Sequence, residues 1–433
     1  MNQQKRQLRW VRLDNAAKIY PAARREKWSN VFRLSATLTE QVDKAALERA
    51  LTITVSRFPS IAARLRKGMF WYYLQQLDRP PKIREEYSYP LTRMTRREVR
   101  KCALRVIVYE NRIAVELFHS LTDGTGAMIF LKTLLAEYVE QKYGVTVPNE
   151  KGVLDRREKP KDEELEDSFL KYAGNLNLSR RSRDAWKITG TPETGDFLHL
   201  TCFSLPAEQL LQQAHSRGVS LTVFLTSLVM LAAQNLQAQR LPFVWLRKPI
   251  KIQVPINLRR MFPSNTLRNF ALYATPEILP RLGEYSLDEI CQVVHHCMGI
   301  ENTPKFMSMM IAANVSSEKL LAVRLMPLFI KNAIMKAAFY FVGERKSCLS
   351  LSNLGAVEMP EEMAKYVQRM DFVLGTQSTA PYNCGVLSWN GRLYMNFIRN
   401  IQEPALEREF YRVLRQLGIP VLVETNLPSQ KGE

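Results

Sequence analysis

Hydrophobic and polar positions divide the first part of the chain into short β-forming runs and longer runs of helical spacing. In one β-forming run, Ile113, Val115 and Leu117 share a face, which predicts a strand with one apolar side. The predicted elements of this part are a strand at 30–38, a helix from a Thr39 cap to about Phe58, strand pairs within 61–74 and 104–118, and a helix at 127–143 that stops at Gly144.

The second part of the chain mixes helices and strands in the same way. Its predicted elements are a helix from a Ser220 cap to Leu236, strands at 250–256 and 347–352, a hairpin within 386–398 around Asn390-Gly391, and a helix at 406–417 that ends at Gly418. Between the two parts, residues 150–166 are dense in charge and are predicted to form an exposed connector. We therefore predict an α/β fold of two halves, residues 1–165 and 166–433, with helices flanking mixed β-sheets and a shared cleft.

Composition narrows the class of protein. The 433 residues are 46% hydrophobic and 24% charged, which excludes collagen-like and disordered chains. The polar, basic first ten residues are not expected to act as a secretory signal, and six scattered cysteines predict free thiols in a reducing cytosol. Charged residues interrupt the most apolar stretch, residues 320–342, so we predict that it packs on the core, roofs the cleft or lies against a membrane surface without spanning it.

The formal net charge of +19 predicts attraction to polyanions in general. Coenzyme phosphates, an acidic carrier protein, anionic lipid and nucleic acid would all satisfy it. No aromatic-interleaved motif or zinc-finger spacing accompanies the basic residues, so nucleic acid is not expected as a partner. The densest basic group is predicted to be a solvated face and consists of Arg93, Arg96, Arg97, Arg100, Lys101 and Arg105.

One of the five histidines stands apart by its position. His119 follows the apolar strand and precedes a loop that contains Asp123 and Gly124. In α/β proteins the carboxyl end of a strand usually opens the ligand crevice, so a base placed there can reach a substrate. Asp123 could orient the imidazole as in a triad, or pair with an arginine elsewhere and hold the loop in shape. A purely structural histidine is the third interpretation.

Two other kinds of site are not expected. Cys291, His295, His296 and Cys297 lie in a helical pattern in which only Cys291 and His295 share a face, so they do not predict a metal site. No Gly-x-Ser-x-Gly occurs in the chain, and the serine beside His119 therefore does not indicate a serine hydrolase.

Four segments carry a resemblance to a known superfamily. VELFHSLTDGTGAMIFLKTLL (residues 115–135) contains His-x-x-x-Asp-Gly in a strand–loop–helix setting and resembles the chloramphenicol-acetyltransferase-like superfamily, which includes alcohol acyltransferases, plant acyltransferases of the BAHD group and condensation domains of peptide synthetases. LDNAAKIYP (13–21), VPINLRRMFPSNTLRNF (254–270) and LSLSNLG (349–355) are similar to the alcohol acetyltransferase branch and extend the resemblance across nearly the whole chain. The plant group's carboxyl-terminal Asp-Phe-Gly-Trp-Gly is absent, and Phe118 stands where condensation domains have a second histidine. Both departures favour the alcohol acetyltransferase branch.

The resemblance implies a tunnel between the halves and direct transfer of an acyl group from a coenzyme A thioester to a hydroxyl, without an acyl-enzyme. It implies that His119 is the general base and that Asp123 pairs with Arg259, while Gly124 allows the tight turn. It also places Ser352, Asn353 and Gly355 beside the cleft as candidate donors to the oxyanion. The alternative is that Asn353 only fixes a turn.

Two other functions are compatible with the sequence. One is ester or amide formation from an acyl chain bound to a carrier protein, and another is a binding protein that keeps the fold without turnover. For the favoured function we expect acyl-CoA as co-substrate, a small or lipophilic alcohol as acceptor, and no metal or permanently bound cofactor. We expect a cytoplasmic monomer, and peripheral contact with a membrane is the alternative that residues 320–342 leave open.

Overall fold

The computed structural model describes residues 10–23, 30–174, 183–319, 323, 325–377 and 380–427. Its strands are Trp10–Arg12 (β1), Val31–Leu38 (β2), Ala63–Lys67 (β3), Tyr72–Gln76 (β4), Ile83–Glu85 (β5), Leu104–Tyr109 (β6), Arg112–Phe118 (β7), His199–Pro206 (β8), Ile250–Asn257 (β9), Ala271–Ala274 (β10), Glu277–Ile278 (β11), Leu349–Ala356 (β12), Val367–Val373 (β13), Tyr382–Trp389 (β14), Arg392–Arg399 (β15) and Leu422–Thr425 (β16). Its α-helices are Ile19–Ala23 (α1), Lys44–Arg57 (α2), Arg96–Val99 (α3), Gly124–Tyr143 (α4), Ser168–Lys171 (α5), Ala207–His215 (α6), Leu221–Arg240 (α7), Leu287–Glu301 (α8), Pro304–Lys319 (α9), Leu328–Ala338 (α10), Glu361–Ala364 (α11) and Ala405–Gln416 (α12).

Two mixed sheets flanked by helices form the body of the protein, as the sequence predicts. The first has the order β13-β2-β7-β6-β5, and the second has the order β10-β9-β12-β14-β15-β8-β16 with β11 beside β9. A small third sheet has the order β1-β4-β3. One hydrophobic core packs α2 and α4 against the first sheet, and another packs α7, α8 and α12 against the second.

The second half contributes one strand to the first sheet. β13 lies within the range expected for the second half, but it pairs antiparallel with β2 of the first sheet, with Met370 opposite Ala36 and Phe372 opposite Leu34. The same strand also contacts β14 of the second sheet. The first sheet is therefore completed only by chain from beyond residue 165.

Most predicted elements are present, with one corrected helix start. α2 begins at Lys44 and not after Thr39, because the side chain of Asp43 accepts hydrogen bonds from the backbone N–H groups of Ala45 and Ala46. Residues 39–42 precede the helix, and the N–H of Val42 donates to the carbonyl of Glu110 instead.

Most charged residues of the connector are exposed, as its composition predicts, but two of them are buried. Glu164 is buried and forms a bidentate ion pair with Arg57, with N–O distances of 2.5 and 2.6 Å. Arg156 is also buried and pairs with Glu137 of α4 at 3.0 Å. Opposite charges from α2 and α4 neutralise these groups, so the connector is tied to the first core.

The basic group near α3 is only partly a solvated face. Arg93, Arg96, Arg97 and Arg100 are exposed. Arg105 lies in β6 and is buried, and Glu98 and Glu116 neutralise its guanidinium at 2.8 and 2.9 Å.

The apolar stretch at 320–342 falls partly outside the described residues, which omit 320–322 and 324. Its described part contains α10, in which Leu328 and Lys331 are the buried residues. α10 therefore packs on α1 through one face and leaves its other face exposed, and contact of that face with a membrane stays a prediction. By length and composition α7 could cross a membrane, but 72% of its most apolar window is buried, as in a core helix.

Candidate active site

His119 begins the loop that leads from β7 into α4. Its backbone N–H donates to the carbonyl of Asn30 at 2.8 Å, which continues the pairing of β7 with β2 for one more residue. Two hydroxyls then fix the loop: Ser120 donates to the carbonyl of Ala17 at 3.1 Å, and Thr122 donates to the carbonyl of Leu267 at 2.6 Å. Ser120 is fully buried in this role, so it is not placed as a nucleophile.

The imidazole of His119 is held by an aromatic ring and an amide. The ring of Tyr20 stacks on it at a centroid distance of 4.3 Å, and Phe32 packs at 5.0 Å. Nδ1 of His119 lies 3.1 Å from Oδ1 of Asn269. Burial lowers the pKa of His119 below its ordinary value, because the surroundings disfavour the imidazolium.

The orientation of Asn269 determines the tautomer of His119. The Asn269 Nδ2 donates to the backbone carbonyl of His119 at 3.1 Å and to Oδ2 of Asp14 at 3.3 Å. Its Oδ1 therefore faces the imidazole and can only accept a hydrogen bond. Nδ1 of His119 carries the proton, and Nε2 presents a lone pair.

Asp123 binds Arg259 and does not serve as the partner of the imidazole nitrogen. One carboxylate oxygen, Oδ2, accepts from Nη1 of Arg259 and from the N–H of Phe270, both at 2.8 Å. The other, Oδ1, accepts from the N–H of Gly126 at 3.1 Å and so caps α4. The ion pair expected from the resemblance is thus present, and it joins the His119 loop to the segment after β9.

Two glycines follow Asp123, and the tighter constraint falls on the second. A Cβ at Gly124 would lie 2.7 Å from a side-chain methyl of Leu354, which is the end of a flexible side chain. A Cβ at Gly126 would lie 2.4 Å from the backbone carbonyl of Leu267 and 2.2 Å from the hydroxyl of Thr122. The predicted role of Gly124 in a tight turn is corrected: Gly124 is the first residue of α4, and its missing side chain makes room for Leu354.

The candidate oxyanion donors lie at the end of β12. The Asn353 side chain donates to the hydroxyl of Thr222 at 3.1 Å and accepts from the N–H of Gly355 at 2.8 Å. Gly355 has a φ of +82°, and the register of β12 against β14 shifts here. Asn353 therefore holds a bulge within β12, while Ser352 remains in regular register opposite Gly385.

Three residues of this site are missing from the sequence prediction: Asn269, Tyr20 and Asp14. Asp14 is fully buried, and burial raises the pKa of its carboxyl despite the opposing charge of Arg268. Tyr20 and Asp14 belong to LDNAAKIYP, and Asn269 belongs to VPINLRRMFPSNTLRNF. The resemblance of these segments was the available signal, but nothing local indicated that they meet at His119.

No group of three or more His, Cys, Asp or Glu residues that could hold a metal ion occurs in the described ranges. Cys291 is buried on α8, whereas His295 and His296 are exposed on the same helix. All six cysteines are free thiols.

The sequence matches no family model, and no curated protein sequence matches it. Solved structures do match over nearly the full length. The structure of TRI101 from F. sporotrichioides complexed with coenzyme A and T-2 matches with a TM-score of 0.63 at 10% identity, over 95% of this chain and 99% of that chain. Polyketide synthase associated protein 5 from Mycobacterium tuberculosis matches with a TM-score of 0.58 at 13% identity, over 97% and 98% of the two chains.

The first condensation domain of the CDA synthetase is also similar, with a TM-score of 0.57 at 13% identity, over 96% of this chain and 99% of that chain. Identities this low establish the fold alone. The chain therefore has the two-lobed fold of condensation domains and chloramphenicol-acetyltransferase-like acyltransferases, as the resemblance of its sequence implies.

Proposed function

We propose that this protein is an acyl-CoA-dependent O-acyltransferase, of the alcohol O-acetyltransferase type, in which His119 is the general base. The observation that carries the proposal is the bond between Nδ1 of His119 and Oδ1 of Asn269, because it leaves Nε2 as a base at the end of β7. The depressed pKa of His119 agrees with this role, since the imidazole is then neutral near pH 7.

The reaction needs a proton acceptor and a proton donor at the same place. Nε2 of His119 takes the proton of the alcohol hydroxyl as that oxygen attacks the thioester carbonyl. When the tetrahedral intermediate collapses, its C–S bond breaks and Nε2 returns the proton to the leaving thiolate of coenzyme A. A base of this kind typically contributes ~10²–10⁴-fold to the rate.

Charge that develops on the carbonyl oxygen is best stabilised near the end of β12. The N-terminus of α7 lies there, because Asn353 donates to Thr222 in the first turn of that helix. The N-terminus of α4 lies there too, since Gly124 packs against Leu354. Helix N-termini carry partial positive charge, and we retain the Ser352 hydroxyl as the side-chain candidate for the oxyanion.

The experiment for this proposal is a panel of acyl-CoA donors, of increasing chain length, against small and lipophilic alcohols. Thiol release that depends on the alcohol, together with the ester detected by mass spectrometry, is the expected result. Alcohol-independent thiol release would indicate hydrolysis. No turnover of any donor by a folded protein would contradict the proposal.

A carrier-bound acyl chain is the second candidate donor, and the similarity to a condensation domain favours it. The exposed arginines of the α3 region lie toward the His119 end of the first sheet, because the N–H of Phe118 donates to the carbonyl of Ala103. An acidic carrier protein would need such a broad basic surface, whereas coenzyme A presents a few phosphates only.

A variant in which neutral residues replace Arg93, Arg96, Arg97 and Arg100 together distinguishes between the two donors. Use of coenzyme A predicts little change in turnover with a short acyl-CoA. Use of a carrier predicts that the variant associates with it much more slowly than the parent at low salt. Added salt should then slow association of the parent, because it screens the same attraction. We expect the first result, and robust transfer from an acyl carrier protein without turnover of any acyl-CoA would contradict it.

A further inference from the structure

Two exposed apolar surfaces lie outside the candidate active site. The α10 face consists of Phe329, Ile330 and Ile334 of α10 together with Phe341, which lies three residues beyond the end of that helix; Phe329 is 69% exposed. The aromatic loop consists of residues 243–246, in which Trp245 is 74% exposed and stacks on Phe243 at 4.9 Å. Large apolar side chains grouped in this way usually mark an interaction surface.

Polar contacts on the opposite side of α10 fix the orientation of its exposed face. Nζ of Lys331 donates to the carbonyl of Phe70 at 3.1 Å and lies 3.5 Å from the ring centroid of Trp71. Asn332 donates to the hydroxyl of Tyr72 at 3.1 Å. With Lys331 held inward on the β4 region, the α10 face is directed away from the protein.

Along the chain, the charged residues next to both surfaces are basic; across the fold, Glu284 pairs with Arg247 at 3.0 Å and Asp184 pairs with Lys346 at 2.8 Å. No Asp or Glu occurs between Glu318 and Glu344, a stretch that contains the α10 face together with Lys331 and Lys336. No Asp or Glu occurs between Glu208 and Glu277, the stretch that contains the aromatic loop and the exposed Lys248. Each apolar surface is therefore flanked along the chain by basic residues only.

Two consecutive residues connect the segments that carry these surfaces. The N–H of Ala185 donates to the carbonyl of Arg345 at 3.0 Å, and the N–H of Trp186 donates to the carbonyl of Pro249 at 2.8 Å. Phe341 precedes Arg345 by four residues, and Trp245 precedes Pro249 by four. Both surfaces thus emerge close to the same bridge.

We infer that the α10 face and the aromatic loop together bind the surface of an anionic lipid bilayer. Aromatic and aliphatic side chains flanked by basic residues suit the interface between headgroups and acyl chains. A second copy of this chain would bring like charges together, whereas anionic headgroups neutralise them. α10 packs against α1, whose Tyr20 stacks on His119, so the bilayer would lie over the element that holds the imidazole.

The test is flotation of the full chain with vesicles, and it does not depend on catalysis. One set of vesicles is phosphatidylcholine alone, and the other contains about one third phosphatidylglycerol. The parent should bind the anionic vesicles and lose binding as salt is raised. Phe329→Glu with Ile334→Glu, and separately Trp245→Glu with Leu246→Glu, should each weaken binding about tenfold or more.

Leu170→Glu is the matched control, because Leu170 is half-exposed but lies in an acidic segment. It should bind like the parent, and all variants should unfold at the parental temperature. Anionic binding that survives in both double variants would overturn the inference, as would a parent that ignores both vesicle types. A dimer detected by light scattering that both double variants dissociate would identify the surfaces as an interface between copies, and would also overturn it.

Discussion

Tyr20 and Asn269 come from opposite ends of the first three hundred residues, yet both contact the imidazole of His119. Stacking on Tyr20 restricts the plane of the ring, and the bond to Asn269 restricts its rotation within that plane. Asn269 is itself anchored on Asp14 and on the backbone of His119. Asn269 is therefore a positioning residue in this account: it acts through His119 and does not need to touch substrate.

Asn269→Ala should lower kcat about tenfold to hundredfold and leave KM for the acyl donor nearly unchanged, because a misoriented base costs rate and not binding. Under the proposed function the neutral imidazole is the active form, so kcat/KM should rise with pH to a plateau whose midpoint lies below the ordinary histidine pKa of about 6.5. Asn269→Asp puts a carboxylate against the ring, favours the imidazolium and should move that midpoint to higher pH. Asn265→Ala removes an exposed amide of the same segment and should change neither value.

Asp123→Asn should cost about 3–5 kcal/mol of unfolding free energy, because it leaves the nearly buried Arg259 without its counter-charge. The measurement is urea unfolding, with Asp288→Asn as the control. Asp288 pairs with Arg217 at 2.8 Å but is largely exposed, so its loss should cost less than about 1 kcal/mol. Equal costs for the two variants would contradict the structural role of Asp123.

The sequence predicts those residues of the site that belong to recognisable motifs. His119, Asp123 and Arg259 follow from matched segments, and the structure brings the last two together. The contact of Asn269 with His119 spans 150 positions, and no local pattern encodes which amide will face which ring. The sequence also gives no sign that Asp14 is buried, since carboxylates are usually exposed and Asp14 is fully buried.

At the scale of elements, α4 continues from the His119 loop into the core. Asp123 caps its N-terminus, Gly144 ends it with a φ of +67°, and its middle is buried against α2. Gly126 lies where the first turn of α4 passes the backbone of Leu267. The close approach of the two halves therefore depends on a glycine within a helix.

Gly126→Ala should destabilise the protein by about 1–3 kcal/mol and lower activity, because the new methyl group would overlap a backbone carbonyl. Gly299→Ala is the control, since no atom lies within 4 Å of a Cβ at that position of α8. It should stabilise the protein by about 0.5–1 kcal/mol through helix propensity. Thermal unfolding of the two variants should therefore shift in opposite directions, and a neutral Gly126→Ala would contradict the close approach.

Elements defined by local pattern are the ones that the sequence predicts well. The hairpin of β14 and β15 turns at Asn390 and Gly391, which both have positive φ, as the Asn-Gly pair indicates. The charged connector is exposed for the most part, as predicted, but its two buried charges were missed, because the partners of Glu164 and Arg156 lie on α2 and α4. Charge density alone does not distinguish a solvated charge from a paired one.

At the scale of the whole molecule, the two halves are not independent. β13 completes the first sheet, and Asp123, Thr122 and His119 of the first half bond to Arg259, Leu267 and Asn269 of the second. Sequence periodicity shows two halves of similar composition, but it carries no information about a strand that returns to the other sheet.

Residues 1–165 expressed alone should fail to unfold cooperatively, because the edge of β2 and the side chains that pack on Phe372 and Met370 would be exposed. Co-expression with residues 166–433 should restore a soluble complex. Circular dichroism during heating is the measurement. A cooperative transition in the isolated fragment would show that β13 is dispensable.

Coenzyme A release by His119→Ala tests the role of His119 most directly, when it is compared with release by the parent and by His295→Ala, which removes an exposed histidine. All three proteins should melt alike. The parent and His295→Ala should release thiol at the same rate in the presence of acceptor alcohol, and His119→Ala should be slower by about 10²-fold or more. Equal rates for His119→Ala and the parent would contradict the assignment of His119 as the catalytic base.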